Sequence, residues 1–309
     1  MSNEPSLPTS PVTPPSSKAA TFFRRLLSTV ILWTVVLSAL FSGNPLLSDI
    51  FFLAIVCLLA WTGLLEFYGM AVRTGLLCFP AWGIFCGLSL LVGTYLHLHG
   101  LLGIHGPPAR VNDFETSILI LFVLGLCFRQ FLRHDMSRGI GAVGTTLFGL
   151  MYVPWLLNFI QKINFFPGVE GTWYVLYFIL ITKASDMGAY AVGSVIGRHK
   201  MIPRVSPGKT WEGFGGALLT SAGASLLFLR LGGGHLHGMT PMHAVILGLV
   251  LGVAAVLGDL IESIFKREAG VKDSGRYFPG IGGILDLLDS LLFNAPLMYL
   301  YLRHILTHP

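Results

Sequence analysis

Long apolar stretches, separated by short polar segments, follow one another along the chain from residue 26 to residue 306. Most of them have the ~20 predominantly apolar residues that a helix needs to cross the hydrocarbon core of a bilayer. They predict nine transmembrane helices, at residues 26–43, 46–70, 76–97, 115–132, 139–160, 172–196, 213–231, 241–262 and 284–306. The predicted fold class is therefore all-α, that of a polytopic integral membrane protein.

The overall composition supports this interpretation. Of the 309 residues, 53% are hydrophobic and 11% are charged, whereas soluble domains carry about 25% charged residues. The formal net charge of +5 gives no reason to expect a nucleic-acid partner, because in a membrane protein the position of the positive residues matters more than their sum.

The Lys and Arg residues are distributed unequally between the two sides of the predicted helices. If the N-terminus is cytoplasmic, the cytoplasmic side holds Lys18, Arg24, Arg25, Arg73, Arg129, Arg133, Arg138, Arg198, Lys200, Arg204, Lys209, Lys266, Arg267, Lys272 and Arg276. The other side holds only Arg110, Lys162, Arg230 and Arg303. Positive residues concentrate on the cytoplasmic side of membrane proteins, so we predict a cytoplasmic N-terminus. The two most polar loops, 197–212 and 263–283, are then cytoplasmic as well.

The end of the eighth predicted helix carries an unusual polar stripe. Asp259, Glu262, Ser263, Lys266 and Arg267 follow at i, i+3, i+4, i+7 and i+8, which places them on one helical face. Cations alone would fit a helix end that reaches the lipid headgroups. The two carboxylates do not fit that explanation, and ionisable groups at membrane depth usually mark a functional site.

The ninth predicted helix begins with a second set of acids, in the sequence GILDLLDS. Asp286, Asp289 and Ser290 lie at i, i+3 and i+4. Acids in a first turn also complement the helix dipole, but Asp289 lies farther into the apolar run. Two helices that each bring carboxylates to one side of the membrane predict a site for a hard divalent cation such as Mg²⁺. The glycines of the preceding FPGIGG sequence would let backbone N–H groups approach phosphate oxygens.

A third polar region spans residues 183–216. Lys183 and Asp186 lie within the sixth predicted helix, where a simple ion pair between them is the alternative to a functional role. The following loop, RVSPGKTWEG, is basic and contains glycine, but it lacks the spacing of a P-loop and no strand is predicted before it. Charge complementarity still makes it a suitable partner for a triphosphate. Glu66, a lone acid near the end of the second helix, either joins the site or only reaches the membrane interface.

The stretch GDLIESIFKREAGVKDSGRYFPGIGGILDLLDS, residues 258–290, resembles the C-terminal signature of the phosphatidate cytidylyltransferases, the CDP-diacylglycerol synthases. Asp186–Tyr190 and SPGKTWEG are similar to a second conserved region of that family. The resemblance is specific over about residues 170–300. The residues that match the C-terminal signature in order and spacing are Ser263, Lys266, Arg267, Lys272, Asp273, Pro279, Gly280, Gly282, Gly283, Asp286, Asp289 and Ser290.

This resemblance implies an enzyme of the membrane that forms CDP-diacylglycerol and pyrophosphate from CTP and phosphatidate. It also implies that Asp259 and Asp286 are the metal carboxylates, with Mg²⁺ as the cofactor. We assign Lys266 and Arg267 to catalysis beside these two carboxylates. The expected substrate-binding residues are Asp186, Arg204, Ser206, Lys209, Ser263, Lys272, Asp273, Gly282, Gly283 and Asp289.

The chain divides into three predicted regions. Residues 1–20 form a disordered tail rich in Pro and Ser, residues 21–170 the N-terminal membrane helices, and residues 171–309 the C-terminal catalytic membrane helices and cytoplasmic loops. We expect the protein to lie in the inner, or plasma, membrane with its active site at the cytoplasmic face. Homodimer formation and a second cation are left open.

Two departures from the family signature leave alternatives open. Ile281 stands where the family usually has His, and Leu287 where it usually has Arg. Neither change touches Asp259 or Asp286, so we expect an active enzyme with altered substrate contacts or a substrate other than ordinary phosphatidate; an inactive member is the alternative. The alternatives are a related CTP-dependent enzyme that acts on another lipid, such as an ether or polyprenyl lipid, and a cation-coupled membrane transporter.

Overall fold

The computed structural model describes residues 18–41, 43–101, 109–132, 138–275 and 282–307, without the side chains of residues 18–29 and 109–113. Most of the predicted tail, residues 1–20, therefore lies outside the described residues. The described part is built from ten α-helices: α1 (Lys18–Phe41), α2 (Pro45–Arg73), α3 (Pro80–Leu98), α4 (Ala109–Phe131), α5 (Gly139–Leu150), α6 (Leu156–Asn164), α7 (Gly171–Ile196), α8 (Trp211–Gly232), α9 (Pro241–Glu268) and α10 (Ile284–Tyr301).

These helices confirm the prediction of an all-α membrane protein. Within the described residues, eight helical segments are long and apolar enough to cross a membrane, with α5 and α6 together forming one of them. The described apolar part of α1, Val30–Phe41, is shorter. Each of the nine predicted spans thus corresponds to a helical segment, although α9 continues to Glu268, beyond the predicted end at residue 262.

Helices α5 and α6 are joined without a break by a π-helical turn, Met151–Trp155, which contains Pro154. Proline has no backbone N–H and its ring clashes with the preceding turn, so a local widening of the helix accommodates it. The buried proline ring packs closely on α3, where a Cβ on Gly87 would lie 2.8 Å from its Cγ. A second π-helical turn, Leu302–Leu306, follows α10.

Small residues allow α7, α8 and α9 to pack closely. A Cβ on Gly216 of α8 would lie 2.6 Å from Val192 of α7, and a Cβ on Gly248 of α9 would lie 2.9 Å from the Cα of Ala222. Such contacts are the usual way in which helices associate in lipid. At Gly258 a Cβ would lie 2.5 Å from the carbonyl oxygen of Asp289, so α9 and α10 approach each other at the residues expected to carry the chemistry.

The loop at residues 197–212 differs from the prediction, because most of it is a β-hairpin. Strand β1 (Lys200–Ile202) pairs antiparallel with β2 (Ser206–Thr210). Thr210 then caps α8, and its Oγ1 accepts a hydrogen bond of 3.1 Å from the N–H of Gly213. The strands are too short and polar to give an alternating apolar pattern, which explains why sequence reasoning missed them.

Candidate active site

A polar cavity of about 480 Å³ lies where α7, α9, α10, the start of α8 and the hairpin meet. All four acids that the sequence singled out for ligand binding in the helices line it, together with one lysine from α7 and one from β2. The charged and hydroxyl side chains of its lining are Lys183, Asp186, Tyr190, Ser194, Ser206, Lys209, Thr210, Asp259, Asp286, Asp289 and Ser290. The structure therefore brings together residues that are up to about a hundred positions apart in the chain.

Asp259 contributes a half-exposed carboxylate from α9. Its Oδ2 lies 2.7 Å from Nζ of Lys209, whose own position is supported by a hydrogen bond of 3.3 Å to the carbonyl of Val256. Its Oδ1 accepts a single long hydrogen bond of 3.3 Å from Ser263 Oγ, one turn further along α9. Because a carboxylate oxygen accepts about two hydrogen bonds, Oδ1 has capacity for a further ligand.

Asp286 is held from several directions at the start of α10. Its Oδ1 lies 2.6 Å from Nζ of Lys266, and that lysine also lies 3.4 Å from Glu262. Its Oδ2 accepts hydrogen bonds from the N–H of Gly283 at 2.7 Å and from both the N–H and the hydroxyl of Ser274 at 2.9 Å. These bonds fill Oδ2 and fix the direction of the carboxylate, so only Oδ1 can accept another partner.

Asp289 and Asp186 form another part of the cavity wall. Oδ1 of the buried Asp289 accepts hydrogen bonds from the N–H and the hydroxyl of Ser290. The same hydroxyl lies 3.4 Å from Asp186 Oδ1. Lys183 lies 3.3 Å from Asp186 Oδ2 and equally far from the carbonyl oxygen of Leu287. The ion pair considered as the alternative for Asp186 therefore exists, and it is part of the cavity wall.

Arg267 and Arg204 do not line this cavity among the described residues. The exposed Arg267 donates from Nε to the carbonyl of Val205 at 3.1 Å and from a terminal nitrogen to that of Val271 at 3.3 Å. It thus ties the hairpin to the segment after α9. Arg204 lies in the exposed turn between β1 and β2. Both arginines were expected at the site, and the contacts of Arg267 indicate support of the hairpin.

Two further predicted residues, Lys272 and Asp273, line a second polar cavity of about 920 Å³. Glu66, Arg73 and Ser274 also line it, so it lies between the end of α2 and the segment that follows α9. Ser274 connects the two cavities through its hydrogen bonds to Asp286.

The two predicted glycines lie at the start of α10. Gly282 has a φ of +117°, a backbone conformation that residues with a Cβ rarely adopt. A Cβ on Gly282 would lie 2.7 Å from Asp286 Oδ2, so the close approach of the carboxylate also requires glycine. Gly283 is the N-cap residue of α10. Ile281, one of the two departures from the signature, lies outside the described residues.

The donor chemistry of the main cavity fits Mg²⁺. In the described part of the chain, no group of three or more His, Cys, Asp or Glu side chains is arranged to hold a metal ion. Mg²⁺, however, is usually bound through one or two carboxylates, phosphate oxygens and water rather than by a cage of protein ligands. Asp259 and Asp286 line the same cavity, and Oδ1 of each has capacity for a further ligand.

Comparison with known proteins agrees with this picture. A sequence model described as the cytidylyltransferase family matches residues 23–305. A phosphatidate cytidylyltransferase of Haemophilus influenzae is 31% identical over 280 residues, which cover 88% of this chain and 96% of that protein. The chain therefore belongs to the cytidylyltransferase family.

Two further relatives align over a shorter region. An uncharacterised Escherichia coli protein, YnbB, is 34% identical over 62% of this chain and 65% of its own length. A phosphatidate cytidylyltransferase of Mycobacterium bovis is 38% identical over 62% of this chain and 62% of its own length. The chain thus spans somewhat less than two thirds of these two relatives.

Proposed function

We propose that this chain is a phosphatidate cytidylyltransferase, which converts CTP and phosphatidate into CDP-diacylglycerol and pyrophosphate. One observation carries the proposal: the polar cavity shares Lys183 and Asp186 with an apolar cavity of about 490 Å³. A nucleoside triphosphate requires a polar environment such as the first cavity, and a lipid chain requires an apolar environment such as the second. The shared residues are where a phosphate between them would lie.

The apolar cavity is suited to an acyl chain. Its walls come mainly from α1, α2, α7 and α10, with Ile160 of α6, and apart from Lys183 and Asp186 its lining is apolar. The side chains that represent these four helices are Val36, Phe52, Val56, Ile179, Leu287 and Leu291. Leu287, which replaces the usual Arg of the signature, thus extends the apolar wall up to Lys183, so this chain makes its contact with the lipid phosphate through Lys183.

The reaction is an in-line displacement at the α-phosphorus of CTP. An oxygen of the lipid phosphate forms the new P–O bond, and the bond to the β-phosphate breaks and releases pyrophosphate. A phosphate monoester is already anionic, so catalysis depends mainly on alignment and charge neutralisation rather than on a strong base. Lys183 orients the lipid phosphate, Lys209 holds phosphate oxygens of the nucleotide, and Lys266 holds the Asp286 carboxylate.

Asp259 and Asp286 would hold Mg²⁺ through Oδ1. When bound, the ion supplies neutralisation and orientation of the triphosphate. Each carboxylate is paired with a lysine, Asp259 with Lys209 and Asp286 with Lys266. Lys209 lines the polar cavity, where its ammonium group can reach a phosphate, whereas Lys266 is buried and holds Asp286 in place. Because most Lys and Arg residues lie on the predicted cytoplasmic side, we propose that the cavity opens to the cytoplasm at the inner membrane.

A panel of lipid acceptors tests the proposal. Purified protein with labelled CTP and Mg²⁺ should convert diacyl phosphatidate into a chloroform-soluble cytidine lipid. Ether-linked phosphatidate analogues and polyprenyl phosphates should react at least about tenfold more slowly. Preference for one of those lipids would contradict the assigned acceptor, and substrate flux without CTP turnover would identify a transporter instead.

The apolar cavity can be tested by narrowing it. Ile179 lines it one helical turn before Lys183 on α7. We expect Ile179→Trp to raise the KM for long-chain phosphatidate about tenfold, equivalent to about 1.4 kcal/mol of binding. The KM for CTP and the rate with dihexanoyl phosphatidate should change less than about twofold.

The matched control is Leu219→Trp, which adds the same bulk to a strongly exposed position on α8. It should leave the KM values for both lipids unchanged. An equal rise in the KM for the long-chain and the short-chain lipid in Ile179→Trp would show that this cavity does not hold the acyl chain.

A further inference from the structure

Glu66, from the N-terminal half of the chain, contacts the start of α10. It lies near the C-terminal end of α2 and is buried, with 6% of its surface exposed. Its Oε1 accepts a hydrogen bond of 2.9 Å from the N–H of Ile284, and its Oε2 one of 2.8 Å from the N–H of Leu285. Ser274 Oγ also lies 2.9 Å from Oε2. Both oxygens of this buried carboxylate are therefore engaged.

Glu66 accepts hydrogen bonds from the first two N–H groups of α10. The first N–H groups of a helix have no partner within the helix, and a nearby side chain usually accepts from them. The N-cap residue of α10 is Gly283, which has no side chain to do so. Glu66 takes over this role from a position more than two hundred residues earlier, and its negative charge also suits the positive end of the helix dipole.

Ser274 connects Glu66 to Asp286. Its hydroxyl oxygen lies 2.9 Å from Glu66 Oε2 and 2.9 Å from Asp286 Oδ2. A hydroxyl has one proton, so the two carboxylates share a single donor. The N–H of Ser274 donates to Asp286 as well. The direction of the Asp286 carboxylate thus depends on Ser274, and the position of Ser274 depends on Glu66.

Glycines surround the Glu66 carboxylate. A Cβ on Gly275 would collide with Oε1, and a Cβ on Gly283 would lie 2.5 Å from Oε2. Any larger residue at either position would displace the carboxylate or the start of α10. The sequence around Asp286 is therefore matched to a side chain from α2.

We propose that Glu66 is a positioning residue for the reaction, which fixes the Asp286 carboxylate in the direction required to hold the metal–nucleotide complex. This inference rests on the proposed function, since it takes Asp286 as a metal carboxylate. It assigns a role in the site to the N-terminal membrane helices, which were predicted as a region separate from the catalytic helices.

The test replaces Glu66 by Gln, which keeps the size but exchanges one acceptor oxygen for an NH₂ donor. This donor then faces N–H groups of α10 or the hydroxyl of Ser274, so Ser274 shifts. The Asp286 carboxylate keeps its contacts with Gly283 and Lys266, but it is held less firmly in its direction. Loss of such an indirect partner typically costs 10–100-fold in metal affinity. We expect Glu66→Gln to weaken Mn²⁺ binding about tenfold. Electron paramagnetic resonance on the purified protein without substrates measures this affinity. The Mg²⁺ concentration for half-maximal activity should rise by a similar factor, with the KM for CTP at saturating Mg²⁺ unchanged.

Glu115→Gln is the matched control. Glu115 is equally buried, but it belongs to a separate network, with Lys162 at 2.5 Å and Asn158 at 2.5 Å. This variant should lower the thermal unfolding midpoint and leave Mn²⁺ affinity unchanged. If the role of Glu66 were merely structural, both variants would lower the thermal unfolding midpoint and leave the Mn²⁺ affinity unchanged.

Ser274→Ala gives a second measurement that does not depend on the folding of Glu66→Gln. It removes the shared hydroxyl while Glu66 still accepts from α10, so Mn²⁺ affinity should fall in the same direction by a smaller factor. Wild-type Mn²⁺ affinity in both Glu66→Gln and Ser274→Ala would overturn the inference. If the wild-type protein binds Mn²⁺ but does not turn over CTP, only the proposed function is contradicted. If the wild-type protein binds no Mn²⁺, the inference and the metal assignment are both overturned.

Discussion

We expect replacement of Asp259 by Asn to abolish CTP-dependent synthesis of the cytidine lipid. The amide keeps the shape of the carboxylate but removes the charge that a metal–nucleotide complex requires. We expect kcat to fall at least about 100-fold, equivalent to about 2.7 kcal/mol of transition-state stabilisation. The ion pair with Lys209 is partly exposed, and such pairs contribute only about 0–1 kcal/mol to stability. The thermal unfolding midpoint should therefore change little.

The control for this variant is Glu170→Gln, which removes a carboxylate paired with His235 at 2.7 Å on the exposed surface. It should retain wild-type activity. Asp259→Asn with more than about half of the wild-type kcat would contradict the assignment of Asp259 to the metal. Loss of activity accompanied by loss of the folded protein would contradict the claim that the residue acts in chemistry rather than in stability.

The variant with the largest expected effect on stability is Lys266→Met. Lys266 lies between Glu262, which is fully buried, and Asp286. Removing one partner of a buried ion pair typically costs 3–5 kcal/mol, because the remaining charge stays buried without compensation. We expect Lys266→Met to lower the free energy of unfolding by about that amount and to lose activity. Denaturation in detergent, monitored by circular dichroism, measures the first effect.

The double variant Glu262→Gln/Lys266→Met separates stability from catalysis. It removes the carboxylate that the single variant leaves unpaired, while Asp286 keeps its hydrogen bonds from Ser274 and Gly283. Part of the lost stability should return, but activity should not, because the cation that holds Asp286 is still missing. Full recovery of activity in the double variant would show that Lys266 acts only by neutralising Glu262.

The membrane helices were predictable because their signal is strong and local. A run of about 20 apolar residues has few alternatives to a membrane helix, and the structure confirms a helical segment at each predicted span. The hairpin at Lys200–Thr210 was not predictable in this way. It is short and exposed, and its position is fixed by tertiary contacts such as that of Arg267 with Val205 in its turn.

The carboxylates of the site were predictable from spacing. Asp259, Asp286 and Asp289 stand out because charge is costly at membrane depth, and all three line one cavity. Which residues lie beside them was harder to predict. Arg267 follows Lys266 directly in sequence, yet it turns to backbone carbonyls of the hairpin and of the segment after α9, while Lys266 contacts Asp286.

Glu66 shows what sequence reasoning could not reach. It was recognised as an acid near a helix end, but its contacts with Ile284 and Leu285 join residues more than two hundred positions apart. Nothing in the local sequence specifies such a partner. The available signal was indirect: the N-cap position of α10 is a glycine, so another acceptor is needed for the first N–H groups of the helix.

The fate of the phosphates of CTP tests the central claim most directly. Purified protein would be incubated with phosphatidate, Mg²⁺ and CTP labelled with ³²P at either the α or the γ position. The proposed reaction transfers the α-label to the lipid and releases the γ-label as pyrophosphate. Transfer of the γ-label to the lipid would identify a CTP-dependent kinase and contradict the assignment, and so would recovery of both labels in unreacted CTP.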